Sequence, residues 1–138
     1  MSAPDFLDTN VVVYAYDFGN PEKRNVARTL LRAAVIEKSV ISSQVLAEFA
    51  AVMLHKVSPP ASAEAVMEGL DSLASIRLIS PDVDLVRRAV EVQIAYGLHF
   101  YDGMIIAAAE RAGCQRIWSE DLNAGQKYFG ITVANPFQ

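Results

Sequence analysis

The sequence has few of the side chains that bind zinc or form disulfides. Its 138 residues include one cysteine, Cys114, and two histidines, His55 and His99. A lone cysteine cannot form an internal disulfide, and these three residues have no spacing that suits a zinc site. Cys114 is expected to be a small buried hydrophobe and His99 to be structural, in a protein from a reducing compartment.

Long hydrophobic runs are also missing. The longest, at 49–54 and 104–109, fall far short of the roughly 20 apolar residues that cross a bilayer. The N-terminal stretch carries acidic residues and no basic segment of the kind that opens a secretory signal. These absences predict a protein without a membrane span and with a cytoplasmic location.

Basic residues are outnumbered, with 12 Lys and Arg against 16 Asp and Glu, which gives a net charge of −4. The length and the 52% hydrophobic content suit one globular domain over residues 1–138. A nucleic-acid-binding protein is normally expected to have a basic footprint. Two divalent cations would bring the total to −4 + 4 = 0, so the acidic balance does not exclude a phosphate ligand.

Four acidic residues stand at positions that an α/β fold would bring together. Asp8 and Asp121 directly follow short apolar runs typical of strands, and Glu48 and Asp102 lie in the first half of amphipathic helices. Crowded carboxylates in a partly dry cleft require raised pKa values or a compensating positive charge. Hard divalent cations, one or two Mg²⁺ or Mn²⁺ ions, are the natural partners of such a cluster.

The alternation of strand-like and helix-like segments predicts an α/β fold with three layers, α/β/α. Its central sheet is expected to be mainly parallel, with about four or five short strands and right-handed crossovers. In such sheets, ligands bind beyond the carboxyl ends of the strands, where the four acids are predicted. The predicted strands cover 5–7, 40–41, 76–79, 116–119 and 131–133. The predicted helices cover 11–16 (with Asn10 as N-cap), 21–37, 44–56, 62–73, a segment that begins with 80–82 and reaches 96, and 102–112.

Each acid also has a simpler interpretation. Asp8 and Asp121 suit turns, Glu48 suits a solvated helix face, and Asp102 suits the N-cap of its own helix. Glu120 could also replace Asp121 as the functional acid. What favours a site is the shared predicted location, because independent caps and turns have no reason to choose one sheet edge.

Two further groups are candidates for supporting roles. The polar residues Thr9, Asn10 and Ser119, and with them Glu120, adjoin the predicted cluster and could orient ligands or hold a metal-bound water. Arg24, Arg28 and Arg32 recur every four residues on one predicted helix, so they form a cationic ridge that is either a solvated face or an RNA-binding surface.

Four segments together resemble the motifs of the PIN-domain family, most closely the VapC-type ribonuclease toxins of prokaryotic toxin–antitoxin pairs. Gly103 stands where many relatives have alanine, and no further acid of the kind that some relatives carry follows Asp121. The segments, in order along nearly the whole chain, are FLDTN at 6–10, SSQVLAEF at 42–49, YDGMIIAAA at 101–109 and IWSEDLN at 117–123.

The resemblance implies a metal-dependent endoribonuclease that cleaves RNA by a metal-activated water. Asp8, Glu48, Asp102 and Asp121 would be the catalytic metal ligands, with Asn10 and Ser119 in support. It further implies a homodimer and a cognate antitoxin that masks the site.

Two other functions remain open from the sequence. An inactive PIN fold could serve only as a protein-binding module. A haloacid-dehalogenase-like phosphatase also begins with an Asp after a strand, but it expects a second Asp two residues on, where this chain has Asn10.

Overall fold

The structure, a computed structural model, describes residues 3–138 and contains one sheet flanked by helices. The six strands lie in the order β3-β2-β1-β4-β6-β5 and are parallel except for β5, which pairs antiparallel with β6. The strands are β1 Asp5–Leu7, β2 Val40–Ser42, β3 Arg77–Ile79, β4 Arg116–Trp118, β5 Lys127–Tyr128 and β6 Ile131–Ala134. The helices are α1 Thr9–Tyr14, α2 Pro21–Glu37, α3 Ser43–His55, α4 Ala63–Leu73, α5 Val83–Tyr96 and α6 Phe100–Arg111.

The predicted α/β fold with a mainly parallel sheet is confirmed, but the sheet has six strands instead of the predicted four or five. The additional strand, β5, has only two residues, which is too short for an alternating pattern to be visible in the sequence. It is joined to β6 by Phe129 and Gly130, whose φ angles are +48° and +83°. Positive φ at both central residues is typical of the tight turns that match the twist of a two-stranded hairpin.

Two helices begin two residues before the predicted start. Helix α1 begins at Thr9, and the cap is Asp8 rather than Asn10, because an Asp8 carboxylate oxygen accepts the Thr9 N–H at 2.7 Å. Helix α6 begins at Phe100 with His99 as its cap, so Asp102 lies inside the first turn and is not the N-cap. Both corrections leave a carboxylate available at the end of the sheet.

The core lies around the sheet and helix α6. Strand residues Phe6, Ile41 and Ile117 have no exposed surface, and seven consecutive residues of α6, from Gly103 to Ala109, are buried. A helix buried on all sides cannot show a strong amphipathic pattern, because it has no solvent-facing side. Within residues 3–138, none of the helices combines the length and apolar character needed to cross a membrane.

Candidate active site

The site lies at the carboxyl ends of β1 and β4, which are neighbours in the sheet. Leu7 and Trp118 are paired in register, so the next residues, Asp8 and Ser119, leave the sheet side by side. The Asp8 N–H continues the ladder by donating to the Trp118 carbonyl at 3.0 Å. Parallel pairing thus fixes the separation of two predicted site residues that are far apart in sequence.

Asp8 is the most buried of the four acids, with 6% of its surface exposed. One carboxylate oxygen accepts the Thr9 N–H, and the other accepts the Ser119 hydroxyl at 2.7 Å and the Asn10 amide at 3.5 Å. Burial raises the pKa of Asp8 to about 6, against the lowering effect of the bonds from Ser119 and Thr9. The negative charges of Asp121 and Glu48 contribute to this rise, which places both acids within electrostatic range of Asp8.

Asn10 connects the turn after β1 to the loop after β4. Its amide nitrogen donates to Oδ2 of Asp121 at 3.1 Å and lies 3.5 Å from both Asp8 and Ser119. Its amide oxygen accepts the backbone N–H of Glu120 at 3.1 Å. The single side chain therefore bridges two of the predicted acids.

Glu48 reaches the same edge from helix α3, which begins directly after β2. It is partly buried, and its Oε1 accepts the Thr9 hydroxyl at 3.0 Å and the Gln44 amide at 3.2 Å. The same Gln44 amide donates to the Tyr101 carbonyl at 3.1 Å, one residue before Asp102. Gln44 was missed by the sequence reasoning, although its place one turn before Glu48 on the helix was a usable signal.

Asp102 is half-buried in the first turn of α6. Burial raises its pKa, the charge of His99 lowers it, and the charge of Asp121 raises it. Asp102 therefore lies close enough to Asp121 to feel its charge, while Asp121 itself is exposed in the loop after β4.

The donor set is chemically suited to a hard cation, since it consists of carboxylate, hydroxyl and amide oxygens around a buried carboxylate. Across residues 3–138, however, no three Asp, Glu, His or Cys side chains are grouped closely enough to hold a metal ion. The four acids are connected by hydrogen bonds and by their charges rather than by a closed coordination shell. Their role as metal ligands stays a prediction.

The Glu120 carboxylate contacts Tyr14 and Lys23 rather than the four acids. It accepts the Tyr14 hydroxyl at 2.7 Å and forms an ion pair with the ammonium of Lys23. Burial would raise the pKa of Glu120, but the hydrogen bonds from Lys23 and Tyr14 outweigh it and the pKa is lowered. Tyr14 and Lys23 both contact Glu120. No pattern in the sequence singles them out, because these contacts depend on the loop after β4.

The arginine ridge on α2 is largely engaged with neighbouring groups. Arg28 Nε donates to the Ala15 carbonyl at 2.9 Å, and the guanidinium groups of Arg24 and Arg28 lie 4.7 and 5.9 Å from the ring of Phe18. Arg32 contacts the Thr29 hydroxyl at 3.4 Å. In the part of the chain that the structure describes, none of the three pairs with the four acids, so an RNA-binding role stays a prediction.

Residues 6–129 match the family model described as "PIN domain". The chain belongs to the PIN-domain family, the family that its four motifs resemble. No curated protein sequence matches the chain.

Solved structures with the same fold come from toxins and toxin–antitoxin complexes. The Mycobacterium tuberculosis toxin VapC20, described as cleaving the sarcin-ricin loop, is 18% identical with a TM-score of 0.68, and the match covers 85% of this chain and 89% of VapC20. A Klebsiella pneumoniae toxin–antitoxin complex gives 21% identity and a TM-score of 0.68 over 98% of both chains. Rickettsia felis VapBC2, bound to a fragment of promoter DNA, gives 20% identity and a TM-score of 0.65. The match covers 95% of this chain and 97% of the VapBC2 chain. At identities this low, the structural similarity establishes a shared fold and nothing more specific.

Proposed function

We propose that the chain is a metal-dependent endoribonuclease and the toxin of a toxin–antitoxin pair. The observation that carries the proposal is the buried Asp8 carboxylate at the sheet edge of a PIN fold, joined through Asn10 to Asp121. Its pKa of about 6 means that burial makes the ionised form less stable than in an ordinary aspartate, and a nearby positive charge would stabilise it. The M. tuberculosis relative is described as an RNA-cleaving toxin, which supports RNA as the substrate class.

Asp8, Glu48, Asp102 and Asp121 would hold one or two Mg²⁺ or Mn²⁺ ions. Bound there, the cation would supply the positive charge that activates a water and stabilises the developing charge on the phosphate. Asp121 and Asp8 would be ligands of the cation, with Asn10 and the Ser119 hydroxyl orienting their carboxylates. Thr9 and Gln44 would orient Glu48 in the same way.

The expected partners follow from the relatives. The Klebsiella and Rickettsia structures are toxin–antitoxin assemblies, which supports an antitoxin that masks the site of this chain. A homodimer is proposed as well, and light scattering of the purified chain measures it directly. The haloacid-dehalogenase alternative is not retained, because the chain belongs to the PIN-domain family.

The test is cleavage of a pool of structured and single-stranded RNAs by antitoxin-free protein with Mg²⁺ or Mn²⁺. Cleavage is expected to stop with a chelator and in the Asp8→Asn variant. Asp71→Asn, which removes an exposed carboxylate on α4, is the matched control and should keep full activity.

Two results would contradict the proposal. Cleavage that persists in Asp8→Asn would come from another nuclease in the preparation. A folded protein that neither cleaves RNA nor binds Mn²⁺ in calorimetry would be a protein-binding module with an inactive PIN fold.

A further inference from the structure

Lys23 places a cation against Glu120, the residue between Ser119 and Asp121. It lies in the first turn of α2, and its ammonium pairs with the Glu120 carboxylate and donates to the Tyr14 hydroxyl at 3.3 Å. The ammonium also lies 4.8 Å from the centre of the Tyr14 ring and 5.5 Å from that of Phe137. Four separate contacts thus restrain one flexible side chain.

The position of Lys23 is electrostatically unusual. The N-terminal turn of a helix carries a partial positive charge, which disfavours a cation there. Asn20 caps this turn by accepting the backbone N–H of Lys23 at 3.2 Å, so the Lys23 side chain has no part in capping the helix. Hydrogen bonds to Glu120 and Tyr14 raise the pKa of Lys23, so its ammonium stays charged at neutral pH.

Glu120 connects this cation to the four acids. It stands between Ser119 and Asp121, and its backbone N–H donates to the Asn10 amide oxygen at 3.1 Å. Of the ion pairs formed within residues 3–138, only Lys23–Glu120 involves the loop after β4. The ammonium is therefore connected through Glu120 to the loop that carries Ser119 and Asp121, in a chain whose net charge is −4.

The ammonium has capacity for one more acceptor. A lysine carries three N–H donors, and the described contacts use two of them. The Lys23 side chain is 31% exposed, so a ligand can reach it. RNA binding depends on cations that contact phosphates, and an acidic network repels those phosphates unless a fixed positive charge is close.

We infer that Lys23 binds a phosphate of the RNA beside the acidic site, with Glu120 and Tyr14 as the residues that position its ammonium. The inference rests on the proposed nuclease function and assigns to that function a substrate-binding residue. It also explains why Glu120 is acidic without taking part in the network of Asp8 and Asp121.

The test is the salt dependence of binding of a fluorescent oligouridylate, measured in the Asp8→Asn background with Mn²⁺. Removing one phosphate contact with Lys23→Met should lower the magnitude of the slope of log affinity against log salt by about 0.7, the value for single strands. Lys23→Arg should keep the slope, and Lys56→Met, which changes an exposed lysine at the far end of α3, should leave it unchanged. If Lys23→Met does not fold, Lys23→Gln replaces it.

Glu120→Gln separates phosphate binding from a purely structural role of the ion pair. It removes the negative charge of the pair but keeps an amide oxygen that can accept a hydrogen bond from the Lys23 ammonium. The ammonium should therefore stay positioned, and the salt slope should be preserved. An equal loss of slope in Glu120→Gln and Lys23→Met would show that the pair itself matters and would overturn the inference. An unchanged slope in Lys23→Met would overturn it as well.

The RNA cleavage assay distinguishes failure of this inference from failure of the nuclease function. With Asp8 intact, Lys23→Met should raise KM for RNA more than it lowers kcat, because a phosphate contact is made before and during the reaction. If the parent protein cleaves RNA and Lys23→Met changes neither the salt slope nor KM, the role of Lys23 is refuted and the nuclease function stands. A parent that cleaves no RNA and binds no Mn²⁺ refutes the nuclease itself.

Discussion

The hydroxyl of Ser119 donates to Oδ2 of Asp8 at 2.7 Å, and both residues are buried. The same hydroxyl oxygen accepts the backbone N–H groups of Asp121 and Leu122, each at 3.2 Å. One side chain thus fixes the buried carboxylate and the loop that carries Asp121. Together with the Asn10 amide, this oxygen links Asp8 to the loop that carries Asp121.

Ser119→Ala is expected to destabilise the protein by about 1–3 kcal/mol, because it leaves a buried carboxylate oxygen and two N–H groups without this partner. It should also raise the pKa of Asp8 further, since the hydroxyl bond lowers it. Urea unfolding measures the first effect. Ser39→Ala, at another buried serine, is the control and should lose less stability. Equal losses of stability would show that the hydrogen bonds of Ser119 do not stabilise the protein beyond the burial of its side chain.

Asp8 should make the metal-free protein less stable as the pH rises. Its pKa is raised from 3.8 to about 6 in the folded state, so between these values the folded protein holds a proton that the unfolded chain has released. The resulting contribution, on the order of 3 kcal/mol, is complete below pH 3.8 and is lost as the pH rises through about 6.

The measurement is the free energy of unfolding in chelator at several pH values from 4 to 8, on the order of one pH unit apart. Asp8→Asn should show a flatter dependence, because the titrating group is gone, and the difference between the two proteins isolates Asp8. Identical curves would mean that Asp8 is better solvated than its burial indicates. Mn²⁺ binding should weaken below about pH 6, since the cation must displace the proton.

Gly103 is required by the close approach of α5 and α6. A Cβ atom at this position would lie 2.7 Å from the Ala89 carbonyl oxygen, a backbone atom that cannot move aside without shifting α5. Gly103→Ala is therefore expected to destabilise the protein by about 1–3 kcal/mol, despite the higher helix propensity of alanine.

Gly69→Ala is the matched control for this helix contact. Its Cβ would lie 3.1 Å from the ring edge of Phe49, a side chain that can adjust, so thermal unfolding should show a smaller loss. A Gly103→Ala protein as stable as the parent would mean that the two helices can separate at little cost.

The sequence was sufficient to predict the α/β fold with its mainly parallel sheet and most of its helices and strands. Asp8 and Ser119 could be placed together because parallel neighbouring strands end at one edge. Strand β5 was missed because two residues show no periodicity, and the cap of α1 was misplaced by two residues because Asp8 and Asn10 are equally good cap residues.

The supporting residues of the site could not be predicted in the same way. Lys23 contacts Glu120 across 97 positions in the sequence, and nothing in the local pattern of α2 distinguishes it from a solvated lysine. Gln44 is identified only once α3 and α6 are in place, because its amide contacts both Glu48 and the Tyr101 carbonyl. Long-range side-chain contacts of this kind depend on the packed structure.

Substitution of Thr9 tests whether its hydrogen bond orients the Glu48 carboxylate for binding a cation. The Thr9 hydroxyl donates to Glu48 Oε1 at 3.0 Å, and Thr9→Val removes that donor while keeping nearly the same shape. Residues that orient metal ligands typically contribute about tenfold or more in affinity, so calorimetry should show Mn²⁺ binding about tenfold weaker in Thr9→Val. Thr9→Ser should restore it.

Thr29→Val, which removes a hydroxyl bonded to the Asn25 carbonyl on α2, is the control and should bind Mn²⁺ like the parent. The comparison with Glu48→Gln decides how a negative result is interpreted. If Glu48→Gln weakens binding and Thr9→Val does not, the bond from Gln44 is sufficient to orient the carboxylate. If neither substitution changes the affinity, Glu48 is not a ligand, and the cation would be held by the aspartates alone.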